Sequence, residues 1–457
     1  MNFPSLKDVD LNAIIAAVGP AQSVQYNKPH VYPMATPMFV NKPGIERNQP
    51  REGPVEVYVH VPFCSYKCSF CTYATRQGSR PKQMDTYVKA LEKEMQWIEP
   101  GTRLKELYIG GGTPTALTPQ LLETVLTAIW KRVQSPNETV HTVECSPESI
   151  TADHVKVFKQ QKIERISMGI QSLDDEVLHR LHRHHTGQVA LGACDLLVSN
   201  GRMLNVDLIY GLPGQTEESF VQDFQTVAAH GVHSVTVYNL RVNEKTPVAG
   251  NLEEDEQLGL ERLITWRALI RACADDVGFK QTRWHTFVRK EPEKNANHPA
   301  RRFENFPAIG NQIGIGMSAR SRIDSAVYRN HPEIKFYLQR IDQGRSPVEE
   351  VFVLKEADRK ALFVGQYLGN GRPLNRGLYE NNFGSSFEQD FGPILPRLLD
   401  SALVEENGSC ISLTETGKLV FDLVNWMFYP KNRRDWIAAR QKFEFKKRSR
   451  RSKQIEL

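Results

Sequence analysis

The sequence predicts an α/β protein: a partial barrel of six strand–helix units followed by a smaller, winged-helix-like α+β accessory domain. Three observations lead there. Strand-like runs alternate with amphipathic runs of helix length from residue 55 to about residue 278. A loop with three cysteines follows the first strand directly, and glycine turns close later ones. Beyond residue 351 the alternation stops, and helices surround a short hairpin.

The elements follow in order. VEVYVHV (55–61) is the first strand, and KQMDTYVKALEKEMQWI (82–98) an amphipathic helix. LKELYIGG (104–111) is a strand ending in glycines. The next helix spans 117–133, with Thr118 as N-cap and Pro119 at its first position. HTVECS (141–146), IERISMGIQS (163–172), MLNVDLIYG (203–211) and SVTVYNL (234–240) are strands three to six, each preceded by helical sequence. A long helix, EDEQLGLERLITWRALIRACADDVG, follows. Strands separated by helices imply right-handed crossovers and a parallel sheet. Six of them curl into a partial barrel more readily than they close one, and chemistry on such a sheet sits at the carboxyl ends of the strands.

Residues 1–50 read as an extension rich in Pro and Asn, 51–285 as the barrel core, and 286–350 as a less regular connecting segment placed to line a substrate site. Residues 351–430 form the accessory domain, expected to act in packing or as a lid, and 431–457 a basic tail.

Composition narrows the class. Charged residues are 24% and hydrophobic residues 40%, ordinary for a globular protein. No run of about 18 apolar residues suggests a membrane span, and the first residues lack the pattern of a secretory signal. The net charge of +5 is local: residues 431–457 hold 11 Lys/Arg against 3 Asp/Glu, leaving 47 against 50 elsewhere. The tail reads as a solvated terminus, and nothing else resembles a nucleic-acid module. Seven cysteines, three of them clustered, suit a reducing cytoplasm better than a disulfide framework.

The cluster is the sharpest signal. Cys64, Cys68 and Cys71 stand in VPFCSYKCSFCTYATR with C-x3-C-x2-C spacing. Three thiolates on one loop can hold three irons of a cubane and leave the fourth open. A structural zinc site or a ferredoxin cluster would need a fourth protein ligand. The run LHRLHRHHT (178–186) carries four histidines at helical spacing and reads as a solvated helix face and turn. Cys145, Cys194, Cys273 and Cys410 read as small hydrophobes, Cys145 with a place near the cluster loop.

Four motifs in order carry a family resemblance: the cysteine loop with Phe70 before its last cysteine, YIGGGTP (108–114), RISMGIQS (165–172) and NVDLIYGLPGQT (205–216). Together they resemble the radical S-adenosylmethionine superfamily, and within it the oxygen-independent coproporphyrinogen III dehydrogenase branch. The resemblance implies a [4Fe–4S] cluster on Cys64, Cys68 and Cys71. It also implies S-adenosylmethionine on the open iron, cleaved to a 5′-deoxyadenosyl radical, and an electron donor such as flavodoxin or ferredoxin. Tyr58, Phe70, Gly111, Gly112, Thr113, Glu144, Gln171, Arg183 and Asp207 match cofactor-binding positions. The glycines are expected to let the backbone approach the methionine moiety, Glu144 to meet the sulfonium or ribose, and Arg183 to meet a carboxylate. No catalytic residue is assigned.

Two departures steer the choice of reaction. Tyr73 stands where the dehydrogenases carry a further cysteine, and His298 lacks the Asn and Tyr-Trp that follow it in haem-chaperone relatives. The expectation is therefore methyl or methylene transfer to a large, flat, conjugated small molecule (a tetrapyrrole or natural product), with two S-adenosylmethionine molecules. The alternatives are coproporphyrinogen-type oxidative decarboxylation and haem carriage. Arg283, Trp284, Phe287 and Arg289 offer stacking faces and cations to a substrate site, with packing that closes the barrel as the favoured alternative, and Arg320 is a weaker candidate.

Overall fold

The computed structural model describes residues 10–18, 40–47, 49–50, 53–136, 139–240, 246–250, 259–283, 285–290 and 310–435. The six expected strands form: β1 (Val55–Val61), β2 (Thr102–Gly111), β3 (Thr142–Cys145), β4 (Arg165–Gln171), β5 (Met203–Tyr210) and β6 (Ser234–Asn239). They pair in parallel in chain order. Period-two alternation sets their faces. In β1 the four valines are almost completely buried against the helices, while Glu56, Tyr58 and His60 turn to the barrel interior.

The crossover helices obey the caps read from sequence. Thr118 accepts a hydrogen bond from the Leu121 amide at 3.3 Å, with Pro119 starting the helix Pro119–Trp130. The Thr216 and Ser219 side chains cap the helix Glu217–Ala229 reciprocally. The helix after β6 begins at Leu260 and ends at Asp276; residues 254–258 of the expected helix lie outside the described residues.

The sheet is longer than six strands. The connecting segment, expected to be irregular, supplies most of the addition. β7 (Phe279–Arg283) and β8 (Thr286–Arg289) form a hairpin that adds antiparallel beyond β6. On the other arm β9 (Asn311–Ile315) pairs in parallel with β1. β10 (Arg320–Ile323), β11 (Ala326–Asn330) and β12 (Val348–Val353) continue antiparallel. Val40 and Asn41 pair with β12. The sheet keeps two ends, so the barrel is open, as expected.

A buried carboxylate locks the first added strand. Glu94 accepts from the Gly316 amide (2.7 Å), the Asn330 side chain (2.9 Å) and the Tyr337 hydroxyl (2.7 Å). Arg47 lies 3.6 Å away. A carboxylate with full hydrogen bonding tolerates burial.

The C-terminal unit matches the winged-helix-like expectation in outline: a three-stranded antiparallel sheet of Leu374–Asn375, Cys410–Leu413 and Val404–Asn407 with short helices around it. Its apolar core is separate from that of the barrel and extends to Ile264 of the barrel's last helix and to Phe352 of β12. Arg267 makes a two-pronged ion pair with Asp422, at 2.9 and 2.8 Å. The N-terminal extension is not featureless: helix α1 (Leu11–Val18) buries Ile14 and Ala17 in this second core, and Arg397 donates to the Ala17 carbonyl at 2.8 Å.

Candidate active site

One cavity of about 660 Å³ runs from the cysteine loop down the barrel interior to the C-terminal unit. Cys64, Cys68, Phe70, Cys71, Gly111, Gly112, Thr113, Glu144, Gln171, Arg183 and Asp207 all line it. Of the cofactor-binding and metal-ligand positions anticipated, Tyr58 is the exception. Its hydroxyl lies 3.0 Å from His60 Nδ1, and its ring packs beside Tyr108.

The loop is tied at several points. The Gly112 amide donates to the Val61 carbonyl (2.7 Å), Thr113 to Phe63 (2.8 Å) and Arg76 to Pro62 (2.7 Å). Ser69 donates to the Leu181 carbonyl, and Val248 donates to that of Ser69. A Cβ on Gly112 would stand 2.7 Å from the Pro62 and Phe63 carbonyl oxygens. Gly111 has φ +118°, and its Cβ would fall 2.5 Å from the His60 ring. The expectation that these glycines clear space for a cofactor gains a second cause: they are needed to seat the cysteine loop on the ends of β1 and β2.

The thiols suit a cubane. Among the described residues no three His, Cys, Asp or Glu side chains converge tightly enough to hold one metal ion. Yet the three cysteines share one cavity wall and feel each other's charge. Burial pushes the Cys64 thiol up to about 12 and raises that of Cys71. The thiolate state therefore needs the positive charge of a metal. Arg183 supplies one cation nearby: its Nη1 lies 3.4 Å from Cys68 Sγ, and its Nη2 donates to the Gly169 carbonyl at 2.5 Å.

Deeper down the wall three acids are held by protein. Glu144 accepts from the Tyr108 hydroxyl (2.7 Å) and the Gly111 amide (2.9 Å), which provide the partners first sought in a cofactor; burial raises its pKa. Asp207 accepts from Asn205 (2.7 Å) and Ser167 (3.4 Å), and burial lifts its pKa to about 7. Glu106 is likewise lifted to about 7 by burial and the Glu56 charge. Gln171 takes a left-handed backbone, φ +77°, at the register shift between β4 and β5. That bulge turns its amide into the cavity.

Other expectations need correction. Phe287 packs on Phe224, and Arg289 donates to the Val232 and Ala228 carbonyls, which is the barrel-closing alternative for this segment; neither lines the cavity. Arg283 does; Trp284 and His298 lie outside the described residues. In the glycine segment the lining arginine is Arg322, not Arg320. The histidine run is only partly solvated: His184 stacks on Tyr66 of the cysteine loop with centroids 4.0 Å apart, and His185 is buried 3.4 Å from Glu148. Buried Cys145 lines the same cavity, as its position suggested. Sequence reasoning missed Glu56, Glu106, Gln312, Arg322 and the Gln366–Asn370 edge. For the two glutamates a signal existed: each falls on the inward phase of its strand.

Residues 58–227 match the Radical SAM superfamily, and the chain carries a Radical SAM domain. The cofactors of that superfamily are a [4Fe–4S] cluster and S-adenosylmethionine, which the three-thiol wall fits. Among curated relatives, the chain is 28% identical over 388 residues to the heme chaperone HemW of Lactococcus lactis, covering 82% of this chain and 96% of that protein. It is 29% identical over 332 residues to the oxygen-independent coproporphyrinogen III oxidase of Cereibacter sphaeroides, covering 68% and 72%. The solved coproporphyrinogen III oxidase HemN of Escherichia coli shares the fold, with a TM-score of 0.73 over 92% of this chain and 94% of that one, at 22% identity. None of these relatives is named for methyl transfer, so that expectation, with its second S-adenosylmethionine, loses its support.

Proposed function

We propose that the protein is a radical S-adenosylmethionine enzyme acting on a carboxylate-bearing tetrapyrrole, with oxidative decarboxylation of a propionate side chain as its reaction. The observation that carries this is the long cavity with thiols at one end and the part-buried Arg283 and Arg322 at the other. The relatives named for coproporphyrinogen oxidation and haem handling supply the substrate class.

When bound, the cluster and S-adenosylmethionine supply reductive cleavage to a hydrogen-abstracting radical. The chain's residues do the rest. Cys64, Cys68 and Cys71 hold the cluster, and Arg183 balances thiolate charge. Gln171 and Asp207 offer hydrogen-bonding atoms to the cofactor, while Phe70 and the strand walls exclude water. Turning a propionate into a vinyl group removes one hydrogen atom, carbon dioxide and one electron, so an electron acceptor is a required co-reactant.

The test is anaerobic turnover of reconstituted protein with a reductant, S-adenosylmethionine and coproporphyrinogen III. Formation of 5′-deoxyadenosine together with carbon dioxide supports the reading; no deoxyadenosine with any porphyrinogen overturns it. The heme chaperone relatives and Tyr73 favour one second reading, haem carriage. A stable haem Soret band on protein that forms neither product would select it.

A further inference from the structure

Segments from the ends of three strands meet between the first two cysteines. Tyr66 stands there, on the loop after β1, and its hydroxyl donates to Glu148 Oε1 at 2.8 Å. Glu148 belongs to the turn after β3, which is itself tied down. The Ser149 amide donates to the Ser146 carbonyl at 3.0 Å, and the Ser149 hydroxyl lies 2.6 Å from that of Thr115, the residue after GGGTP. The Ser146 hydroxyl donates to the same Glu148 oxygen as Tyr66, at 2.7 Å. From the segment after β4 come three consecutive side chains. The Arg183 guanidinium carbon lies 5.6 Å from the centre of the Tyr66 ring, and its Nη1 lies 3.4 Å from Cys68 Sγ. His184 stacks on the Tyr66 ring. His185, its side chain wholly buried, lies 3.4 Å from Glu148 Oε2.

Glu148 is the hub of this arrangement. Burial alone would raise its carboxyl, but His185, the Arg183 charge and Ser146 bring it down to about 2, so it stays an anion. Hydrogen bonds to an ionised acceptor are the strong ones. The loop's main-chain bonds named above engage Pro62, Phe63 and Ser69, whereas Tyr66 adds a side-chain anchor midway between Cys64 and Cys68. The same carboxylate attracts Arg183, the cation at Cys68, and it lines the cavity together with the thiols. A fixed negative charge on the wall of a cluster's cavity disfavours the addition of an electron, because net charge is one of the terms that set a cluster's potential.

We propose that Glu148 is a positioning residue of the radical centre: through Tyr66 it anchors the stretch between Cys64 and Cys68, and its carboxylate holds the potential of the cluster down. The residue touches neither thiol directly and acts through Tyr66 and Arg183. The turn after β3 thereby takes a part in tuning the cluster that none of its own ligands carries.

The experiment is a potentiometric titration of the cluster-loaded chain followed by electron paramagnetic resonance, with the rate of iron release to a chelator measured alongside. Glu148→Gln keeps an acceptor for Tyr66 and removes the charge. Its midpoint is expected at a more positive potential with iron per chain unchanged, and an unmoved midpoint overturns the charge role. Tyr66→Phe keeps the ring and the charge and loses the hydrogen bond. Iron release about tenfold faster than in the parent is expected, the fold-change of a lost hydrogen bond to a charged group, and a parental rate overturns the anchor. Glu148→Asp keeps the charge and loses the reach, so it should release iron like Tyr66→Phe while holding the parental midpoint. A merely structural Glu148 would alter release rates and leave the midpoint of intact clusters where it was. Tyr66→Phe leaves the turn after β3 as it is, so it decides the anchor even if a substitution at Glu148 impairs folding. Neither measurement needs a substrate, so the outcome is independent of the tetrapyrrole reading.

Discussion

At the scale of single residues, the thiols and the buried acids make opposite demands on protons. Cys64 is held protonated by burial, so metal loading must release protons. Cys68→Ala removes one of three ligands; loss of the broad absorbance near about 400 nm after reconstitution is expected, and an unchanged spectrum would refute the ligand set. Glu106 has a folded-state pKa of about 7, raised by burial. A raised carboxyl stabilises the fold fully below its unfolded pKa and loses that contribution as pH climbs through the folded value. Thermal midpoints of the cluster-free chain should therefore fall between about pH 4.5 and 7. Glu106→Gln should flatten part of that slope, and a variant with the same slope as the parent would show that this carboxyl is not the source. Asp207, with the same folded value, and Asp223, lifted to about 6 by burial, act in the same direction, while His60 and His141, lowered to about 4, oppose them.

At the scale of elements, the cysteine loop is positioned by backbone contact. Gly112→Ala places a methyl 2.7 Å from two carbonyl oxygens that cannot swing aside as a side chain would. Overpacking of this kind costs about 1–3 kcal/mol. Here it should appear as cluster iron per chain well below the parent under identical reconstitution, with far-ultraviolet circular dichroism unchanged. Full iron content in Gly112→Ala would show that the loop docks loosely.

Much of the core was legible at this scale, because period-two runs, caps and glycine turns are local signals. VEVYVHV announced its strand, although the inward polar face that Glu56 contributes was not read from it. The connecting segment was illegible as sheet for a physical reason. Strand β9, which joins the added strands to the sheet, owes its pairing to a partner far away in the chain, Val55 with Asn311, and its end to the buried Glu94 that receives the Gly316 amide. Site residues at strand ends carried motif signals. Arg322 and Gln366 carried none, since nothing local distinguishes an arginine or glutamine that faces a cavity from one that faces solvent.

At the scale of the whole molecule, two cores are coupled through few polar contacts. Arg267 of the barrel's last helix and Asp422 of the C-terminal unit are both largely buried, the aspartate side chain at 3% exposure. Removing one partner of such a pair strands a charge and costs about 3–5 kcal/mol. Asp422→Ala should lower the urea midpoint accordingly, and a shift within experimental scatter would mean the interface rests on apolar packing alone. Arg271 and Glu415 add a more exposed tie at 2.9 Å, and helix α1 belongs to the C-terminal core, where Ile14 is 1% exposed. Ile14→Ala should cost about 2–5 kcal/mol, measured the same way.

The open seam of the sheet has an evolutionary corollary. Because Gln366 and Asn370 belong to a separately packed unit, that part of the cavity wall can be recast by drift in that unit. The cysteine-bearing rim, pinned to β1 and β2 by main-chain bonds, stays untouched meanwhile. One radical generator can thus be fitted to guests of different girth, with the C-terminal unit serving as the interchangeable half of the mould.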